Sequence, residues 1–397
     1  MSAPPTHIDP FDKIKIGLVL LLAMALPMFI LYATGVLSPY LIKALQVQES
    51  DLSYIVMVSF GLASILSLFA GNAVDYFGLR ASYVLHFITI AISFFIISIS
   101  DSLWTIIGAI SIVGLSQALA NPLTNKLIAL RIPDSSKAMM VGMKQSGVQL
   151  SALLAGFTLP FIANNWGWRV SFLAVVPIAI VMAILSWKVS PNKPLVRKSS
   201  QQYIPNRKLA LLMLTQGGIG AVLSAYITYI PSFAISLSLS PEQAGLLITL
   251  FGITGMSSRI IMTPIASSFD NQAMFIVGMI GFAILAIFIT MKSNIEASWP
   301  IYIGVIGIGL SIVATNAIAM GMVVKDSRFG PIAYASGMIS AAFFAGIAVG
   351  SSIFGMIISF FESFSSGWIF TILILLVSGS SCLILANQHS LTQQEAV

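Results

Sequence analysis

Two cations sit where the chain is otherwise apolar. Lys144 lies about six residues inside the apolar run 138–163, roughly 9 Å along a helix at ~1.5 Å per residue. Arg259 lies at a comparable depth in the run 243–266. All thirteen acidic residues fall at loops or run ends, so neither cation has an evident buried counter-ion. A fixed positive charge of this kind favours an anion, and arginine adds a planar fork matched to carboxylate or phosphate. A structural alternative stays open: each side chain can snorkel to the nearer surface or meet Asp75, Asp134 or Asp270.

Amides form a second group. Gln117, Asn121 and Asn125 recur every four residues and share one helix face, as do Gln145 and Gln149. Gln216, Gly220, Ser224 and Thr228 make a polar-and-small stripe of the same spacing, and Asn316, Tyr32, Thr34 and Tyr226 are further polar candidates. Such stripes face protein or a wet cavity and not lipid. Hydrogen bonding between helices is the plainer use of any one of them. Lys144 and Gln145 stand about 100° apart on a helix, so only one of the two can aim straight into a given cavity. Chemistry of other kinds is poorly supplied. Three scattered histidines (His7, His86 and His389) and the single Cys382 exclude an intrachain disulfide and a cysteine metal cluster. His86 reads as a packing or surface residue. A membrane enzyme would need buried nucleophiles, acid–base pairs or metal ligands, and the runs hold none; no metal and no cofactor is expected.

The elements that must position these residues follow from composition. Of 397 residues, 57% are hydrophobic and 8% charged, against about a quarter charged in soluble domains. A soluble chain of this length needs a charged skin; here the solvent must be lipid. Apolar runs fall at 16–38, 53–74, 81–100, 103–126, 138–163 and 170–187, then at 209–231, 243–266, 273–291, 300–324, 333–360 and 366–386. A hydrocarbon core of about 30 Å takes about 20 helical residues, and these runs are too long and unalternating for barrel strands. The expected fold is an all-α membrane protein with twelve transmembrane helices in two pseudo-symmetric six-helix bundles, residues 1–187 and 209–397. Residues 188–208 join them as a basic linker with six basic residues, three prolines and no acid. Such a loop suits an anionic lipid surface. The first run is too long for a signal core and is followed by no clear cleavage site, so it is expected to be retained.

The net charge of +6 is a topology signal and not a nucleic-acid patch. With the N-terminus cytoplasmic, 14 of the 19 Lys and Arg lie on the cytoplasmic side. Three (Lys43, Arg169 and Lys292) lie outside, and Lys144 and Arg259 lie within spans. Basic loops favour the cytoplasm, so both termini are expected inside a bacterial inner membrane.

The two halves repeat. Asn121 is matched 195 positions later by Asn316, and Ala138 to Gly142 by Ala333 to Gly337 at the same offset. Gly147, Ser151 and Ala155 match Ala342, Gly346 and Gly350, small residues four apart that permit close helix approach. Gly167-Trp168 recurs as Gly367-Trp368, and Phe60-Gly61 as Phe251-Gly252. Six spans per half give both halves the same orientation, the parallel repeat that places substrate near the midplane between them.

Between the second and third runs stands Gly71-Asn72-Ala73-Val74-Asp75-Tyr76-Phe77-Gly78-Leu79-Arg80. It resembles the loop signature G-x-x-x-D-[RK]-x-G-R-[RK] of the major facilitator superfamily at Gly71, Asp75, Gly78 and Arg80, and departs from it at Tyr76 and Leu79. The resemblance implies a gating role for these four residues, with Asp75 holding the cytoplasmic side shut. The second-half equivalent, Thr263-Pro264 to Asp270, is degenerate. Ile110 to Ala120 lacks the arginine that many proton-coupled drug exporters of the family carry. The run Gly142-Met143-Lys144-Gln145-Ser146-Gly147, with Gly167-Trp168-Arg169 beyond it, is similar to prokaryotic members of unassigned substrate.

The expected function is secondary transport by alternating access, moving a small organic solute and, from Lys144 and Arg259, an organic anion of carboxylate type. Partners are that solute and the lipid bilayer, with a proton or sodium coupling ion unassigned and the chain a monomer. Rival readings are a drug or metabolite efflux exporter and a non-transporting receptor or scaffold.

Overall fold

The structure, a computed structural model, describes residues 10–191, 205–330 and 332–394. Of the linker, only its ends fall among them. The described chain is helical, with no strand. Twelve long helical segments run in order: α1 (Pro10–Val36), α2 (Ser53–Phe77), α3 (Leu79–Ile99), α4 (Leu103–Arg131), α5 (Asp134–Trp166), α6 (Trp168–Leu173 and Val175–Val189), α7 (Arg207–Ser236), α8 (Pro241–Ser267), α9 (Gln272–Met291), α10, α11 (Ile332–Phe361) and α12 (Phe364–Gln394). The tenth, α10, is broken into Trp299–Ser311, a 3-10 turn at Ile312–Ala314, and Thr315–Lys325. Eleven of the twelve are long and apolar enough to cross a membrane; in α2 the apolar stretch is the shorter Tyr54–Ala70. Those 17 residues reach about 26 Å at 1.5 Å each, and the rest of the helix extends beyond them.

Local chemistry sets the ends. Gly78 (φ +79°) and Gly167 (φ +86°) join α2 to α3 and α5 to α6 through single residues in the left-handed half of backbone space, where a side chain would be strained. The oxygens of Ser102, Asn206, Ser240 and Asn271 accept from the first-turn N–H groups of α4, α7, α8 and α9. A short helix, Ser38–Leu45, follows α1; the sequence runs do not show it, because it spans no apolar length.

The small-residue stripes lie at close helix contacts. A Cβ on Gly147 would strike the backbone of Leu21, so α5 lies directly on α1. Gly346 and Gly350 abut the carbonyls of Gly217 and Ala221, and Gly220 abuts that of Phe343, so α11 lies on α7. Ser151 and Ala155 continue the first stripe as buried residues, and the Ala342 carbonyl faces Gly217 in the second.

Among the described residues, three helix pairs carry most of the contact between the halves. In the pair α2–α11, Ser64 donates to the Ala341 carbonyl at 2.8 Å and the rings of Phe60 and Phe344 lie 5.9 Å apart. In α5–α8, Gly156 lies against Gly245 and Thr249, and Gly252 against Leu153. In α1–α7, Gly35 meets the Ile227 carbonyl, and just beyond α1 the hydroxyls of Ser38 and Ser232 are 3.1 Å apart.

The last contact lies at the end of the bundle away from the linker, the far end, where the halves touch. There Tyr40 donates to Asn164 at 2.6 Å, and Asn164 donates across the interface to the Glu242 carboxylate. Partial burial, and then the Glu242 charge, push the Tyr40 phenol above its ordinary value. At the linker end Arg80 donates to the Ser190 carbonyl (3.2 and 3.1 Å) and lies over Trp187, tying the α2–α3 turn to the end of α6. The side-chain surroundings of Gly71 and Asp75 lie outside the described residues.

Candidate functional site

A cavity of about 60 Å³ lies between the halves. A water needs about 10–15 Å³ on this scale, so there is room for roughly four to six. Its first-half wall comes from α1, α4 and α5 and carries Tyr32, Gln117, Asn121, Gln145 and Gln149 among Met24, Met28, Leu31, Ala120 and Val148. Its second-half wall comes from α7, α8, α10 and α11. Leu223, Ile227, Phe251, Val313, Phe343, Phe344 and Ile347 dominate it, with Arg259, Asn316 and Ser340 as its polar members.

Of the two cations, the one at the wall is Arg259. It reaches from α8 across to α5, donating to the Gln145 carbonyl at 2.5 Å and to Gln145 Oε1 at 3.3 Å, and it donates to the Val313 carbonyl at 3.4 Å. All three acceptors are neutral. The Val313 carbonyl is available because α10 breaks into its 3-10 turn there, irregular backbone of the kind tolerated at membrane depth where it lines a cavity. The alternative of an ion pair with Asp270 is not met, since Arg259 has these partners and Asp270 is exposed.

Lys144 is elsewhere. It is 1% exposed and turns from α5 onto α4, donating to Asn125 Oδ1 (2.6 Å), Thr124 Oγ1 (2.9 Å) and Asn121 Oδ1 (3.4 Å). It stands one layer behind the wall, while its neighbour Gln145 faces the cavity, as their angular separation requires. Asn125, one turn past Asn121, is exposed and serves Lys144 instead of the cavity.

Two further candidates stand off the cavity. The hydroxyls of Tyr226 and Thr290 are 2.8 Å apart, so Tyr226 packs inside the second half. Gln216 is buried behind Asn316 and donates to the Thr315 carbonyl at 3.4 Å. Of the stripe Gln216–Gly220–Ser224–Thr228, Gly220 and Ser224 face α11, where Ser224 accepts from the Ser351 N–H at 3.1 Å. The wall positions of α7 are Leu223 and Ile227, one residue out of that stripe. Thr34 spends its hydroxyl on the Ile30 carbonyl at 2.7 Å, and buried His86 places Nδ1 3.0 Å from the Ser116 carbonyl.

Reading polar residues alone misses the apolar wall, above all Phe251, Phe343 and Phe344. A usable signal is in the repeat. At the offset that pairs Asn121 with Asn316, Met28 pairs with Leu223, Tyr32 with Ile227, Gln145 with Ser340, Val148 with Phe343 and Gln149 with Phe344. Both members of every pair line the cavity.

Comparison with known proteins places these features. Residues 20–329 match the family model for the Major Facilitator Superfamily. A probable sugar efflux transporter of Haemophilus influenzae is 22% identical over 317 residues, 78% of each chain. One of Pasteurella multocida is 25% identical over 53% of this chain and 54% of its own length, so that match spans about half of the relative. A hexuronate transporter of Bacillus subtilis is 21% identical over 46% of this chain and 43% of its own. Among solved structures, a D-xylose-proton symporter superposes with a TM-score of 0.73 at 16% identity, covering 94% of this chain and 97% of that one. A bacterial homologue of the human lysosomal transporter Spinster, in an inward-facing and occupied conformation, also gives 0.73 at 15% identity, covering 96% and 98%.

Proposed function

We propose that this chain, which belongs to the major facilitator superfamily, carries a small organic anion through its central cavity by alternating access of its two halves. It is a membrane transporter and not an enzyme. The observation that carries the anion reading is Arg259 at the cavity wall, held by three neutral oxygens and, among the described residues, by no carboxylate. Its charge is therefore uncompensated and available to a solute. A charge-assisted hydrogen bond is the strongest polar contact such a cavity can offer.

The domains are residues 1–187 and 209–397, with 188–208 as linker, working as a monomer in the inner membrane with both termini cytoplasmic. Basic loops support that orientation. On it, the far end, where the halves touch, is the outer one. Gly78 and Arg80, with Gly71 and Asp75, form the inner gate; the bonds from Arg80 to Ser190 support that role.

A second reading is export of an uncharged sugar-like or amphipathic solute. The amide-rich first-half wall opposite Phe251, Phe343 and Phe344 favours it, as do the names of the efflux relatives.

Purified protein is to be screened for thermal stabilisation by carboxylates, phosphates, amino acids and neutral sugars, and positive solutes then tested for counterflow in proteoliposomes. Carboxylates should stabilise the wild type and lose that effect in Arg259→Gln. Equal stabilisation of both proteins by neutral sugars, with none by carboxylates, replaces the anion reading with the sugar one.

A further inference from the structure

Asn121 and Asn316 occupy equivalent places in the two halves and both line the cavity, yet they are not chemically equivalent there. Behind Asn121 stands Lys144, whose ammonium can only donate, so the Asn121 oxygen turns towards it. The Asn121 amide N–H₂ is left for the cavity. Behind Asn316 stands Gln216. Its N–H₂ group donates to the Thr315 carbonyl, which can only accept, so its Oε1 takes a hydrogen from Asn316 Nδ2 at 3.4 Å. The Asn316 oxygen is left for the cavity. The chemistry of the buried partners thus fixes both amide orientations: the first half offers a donor and the second an acceptor.

A further acceptor stands beside them. Gln149 lines the cavity, is 2% exposed, and its Oε1 has no hydrogen-bond partner among the described residues. A buried acceptor left unmet is costly, so the cavity contents must donate to it. A bare carboxylate accepts only. It satisfies Arg259 and leaves Gln149 and Asn316 unmet.

We propose that the cavity selects a hydroxylated carboxylate, a solute whose carboxylate meets Arg259 and whose hydroxyls accept from Asn121 and donate to Asn316 and Gln149. The selection rests on the anion reading above and adds the hydroxyls to it. Lys144 and Gln216 are positioning residues, touching no solute and setting which end of each asparagine the solute meets. Their symmetry mates are Ile339 and Leu21, so each half orients its asparagine with a side chain the other half lacks.

The test is calorimetric binding to full-length protein in detergent with three six-carbon probes: gluconate, hexanoate and glucitol. Gluconate should bind the wild type about tenfold more tightly than hexanoate, the worth of the hydroxyl contacts, and more tightly than glucitol. In Lys144→Met and in Asn316→Leu, hexanoate binding should be unchanged while gluconate falls to within about threefold of it. A merely structural role for Lys144 would lower both acids together, and the Asn316→Leu ratio then decides. Arg259→Gln should weaken both acids and spare glucitol. Equal wild-type affinity for gluconate and hexanoate overturns the hydroxyl selection and leaves the anion reading standing. Equal affinity for gluconate and glucitol, unchanged in Arg259→Gln, overturns the anion reading. Binding of none of the three overturns both.

Discussion

The two cavity walls are built on one plan and furnished differently. At paired positions the first half places Tyr32, Gln145 and Gln149 where the second places Ile227, Ser340 and Phe344. Behind the wall the contrast is sharper. Lys144, Thr124 and Asn125 form a cationic cluster in the first half; their counterparts Ile339, Ala319 and Met320 are apolar. The second half carries instead the wall's charge, Arg259, whose counterpart by the Phe60–Phe251 match is exposed Leu68. Backbone geometry is therefore what the repeat conserves, because seams such as α1–α5 and α7–α11 leave no room for change. Cavity side chains are free to differ, and one wall has become a hydrogen-bonding surface while the other combines ring packing with a single cation.

The shared seams predict the largest effects, equal in the two halves. Gly147→Val drives a side chain into the Leu21 backbone, and Gly350→Val drives one into Ala221. Backbone cannot step aside as a side chain can, so each should exceed the usual 1–3 kcal/mol of overpacking. Loss of the monodisperse peak in size-exclusion chromatography is expected for both. A variant that keeps its peak and its melting temperature would show that its seam is not fixed by that glycine.

Next comes the charge that only one wall has. Arg259→Gln removes charge-assisted bonds worth about 1.5–3 kcal/mol, so anion uptake in proteoliposomes should fall about ten- to hundredfold. Leu68→Gln, at the matching place on α2, should change uptake less than twofold. Equal losses would mean that the arginine acts through the fold and not through a solute.

How far the sequence discloses this molecule depends on which interaction decides each feature. Span number, repeat and seams were legible because lipid demands long apolar helices and close packing demands small residues at fixed spacing. The broken α10 was not, since Ile312 to Ala314 is as apolar as any regular turn and the break is stabilised by Arg259 from another helix. The cavity was half legible. Gln117, Asn121, Gln145, Gln149 and Asn316 announce themselves as polar groups in lipid. Phe251, Phe343 and Phe344 resemble any lipid-facing ring until the fold turns them inward. Nor does sequence separate Lys144 from Arg259, because the direction of a side chain on its helix depends on the neighbours.

Opposite signs are expected at one pair. Gln149→Leu removes an unmet buried acceptor and should raise stability by about 1 kcal/mol while weakening uptake severalfold. Phe344→Leu trims the ring that packs on Phe60 and should lower stability by about 1 kcal/mol with less effect on uptake. Thermal melts beside transport assays read both. Two losses of stability would show that Gln149 has a structural partner.

The smallest effect distinguishes the two ends of the bundle. The far end carries contacts between the halves through Ser38, Tyr40, Asn164 and Glu242, whereas the linker end carries a local pair within one turn, Arg328 on Asp326 at 2.9 Å. Burial pushes the Asp326 carboxyl up, but the hydrogen bonds and charge of Arg328, with the charge of Lys208, outweigh it and hold the group below its usual value. A carboxyl depressed by folding stabilises the protein at pH values above its unfolded value near 3.8 and loses that contribution as pH falls through the folded one. The pair is partly exposed, so its worth is at most about 1 kcal/mol. Asp326→Asn should therefore lie slightly below wild type in melting temperature at pH 7, and the two should converge on acidification below the unfolded value. A gap that stays constant with pH would mean that the asparagine disturbs the turn by its hydrogen bonding and not by its charge.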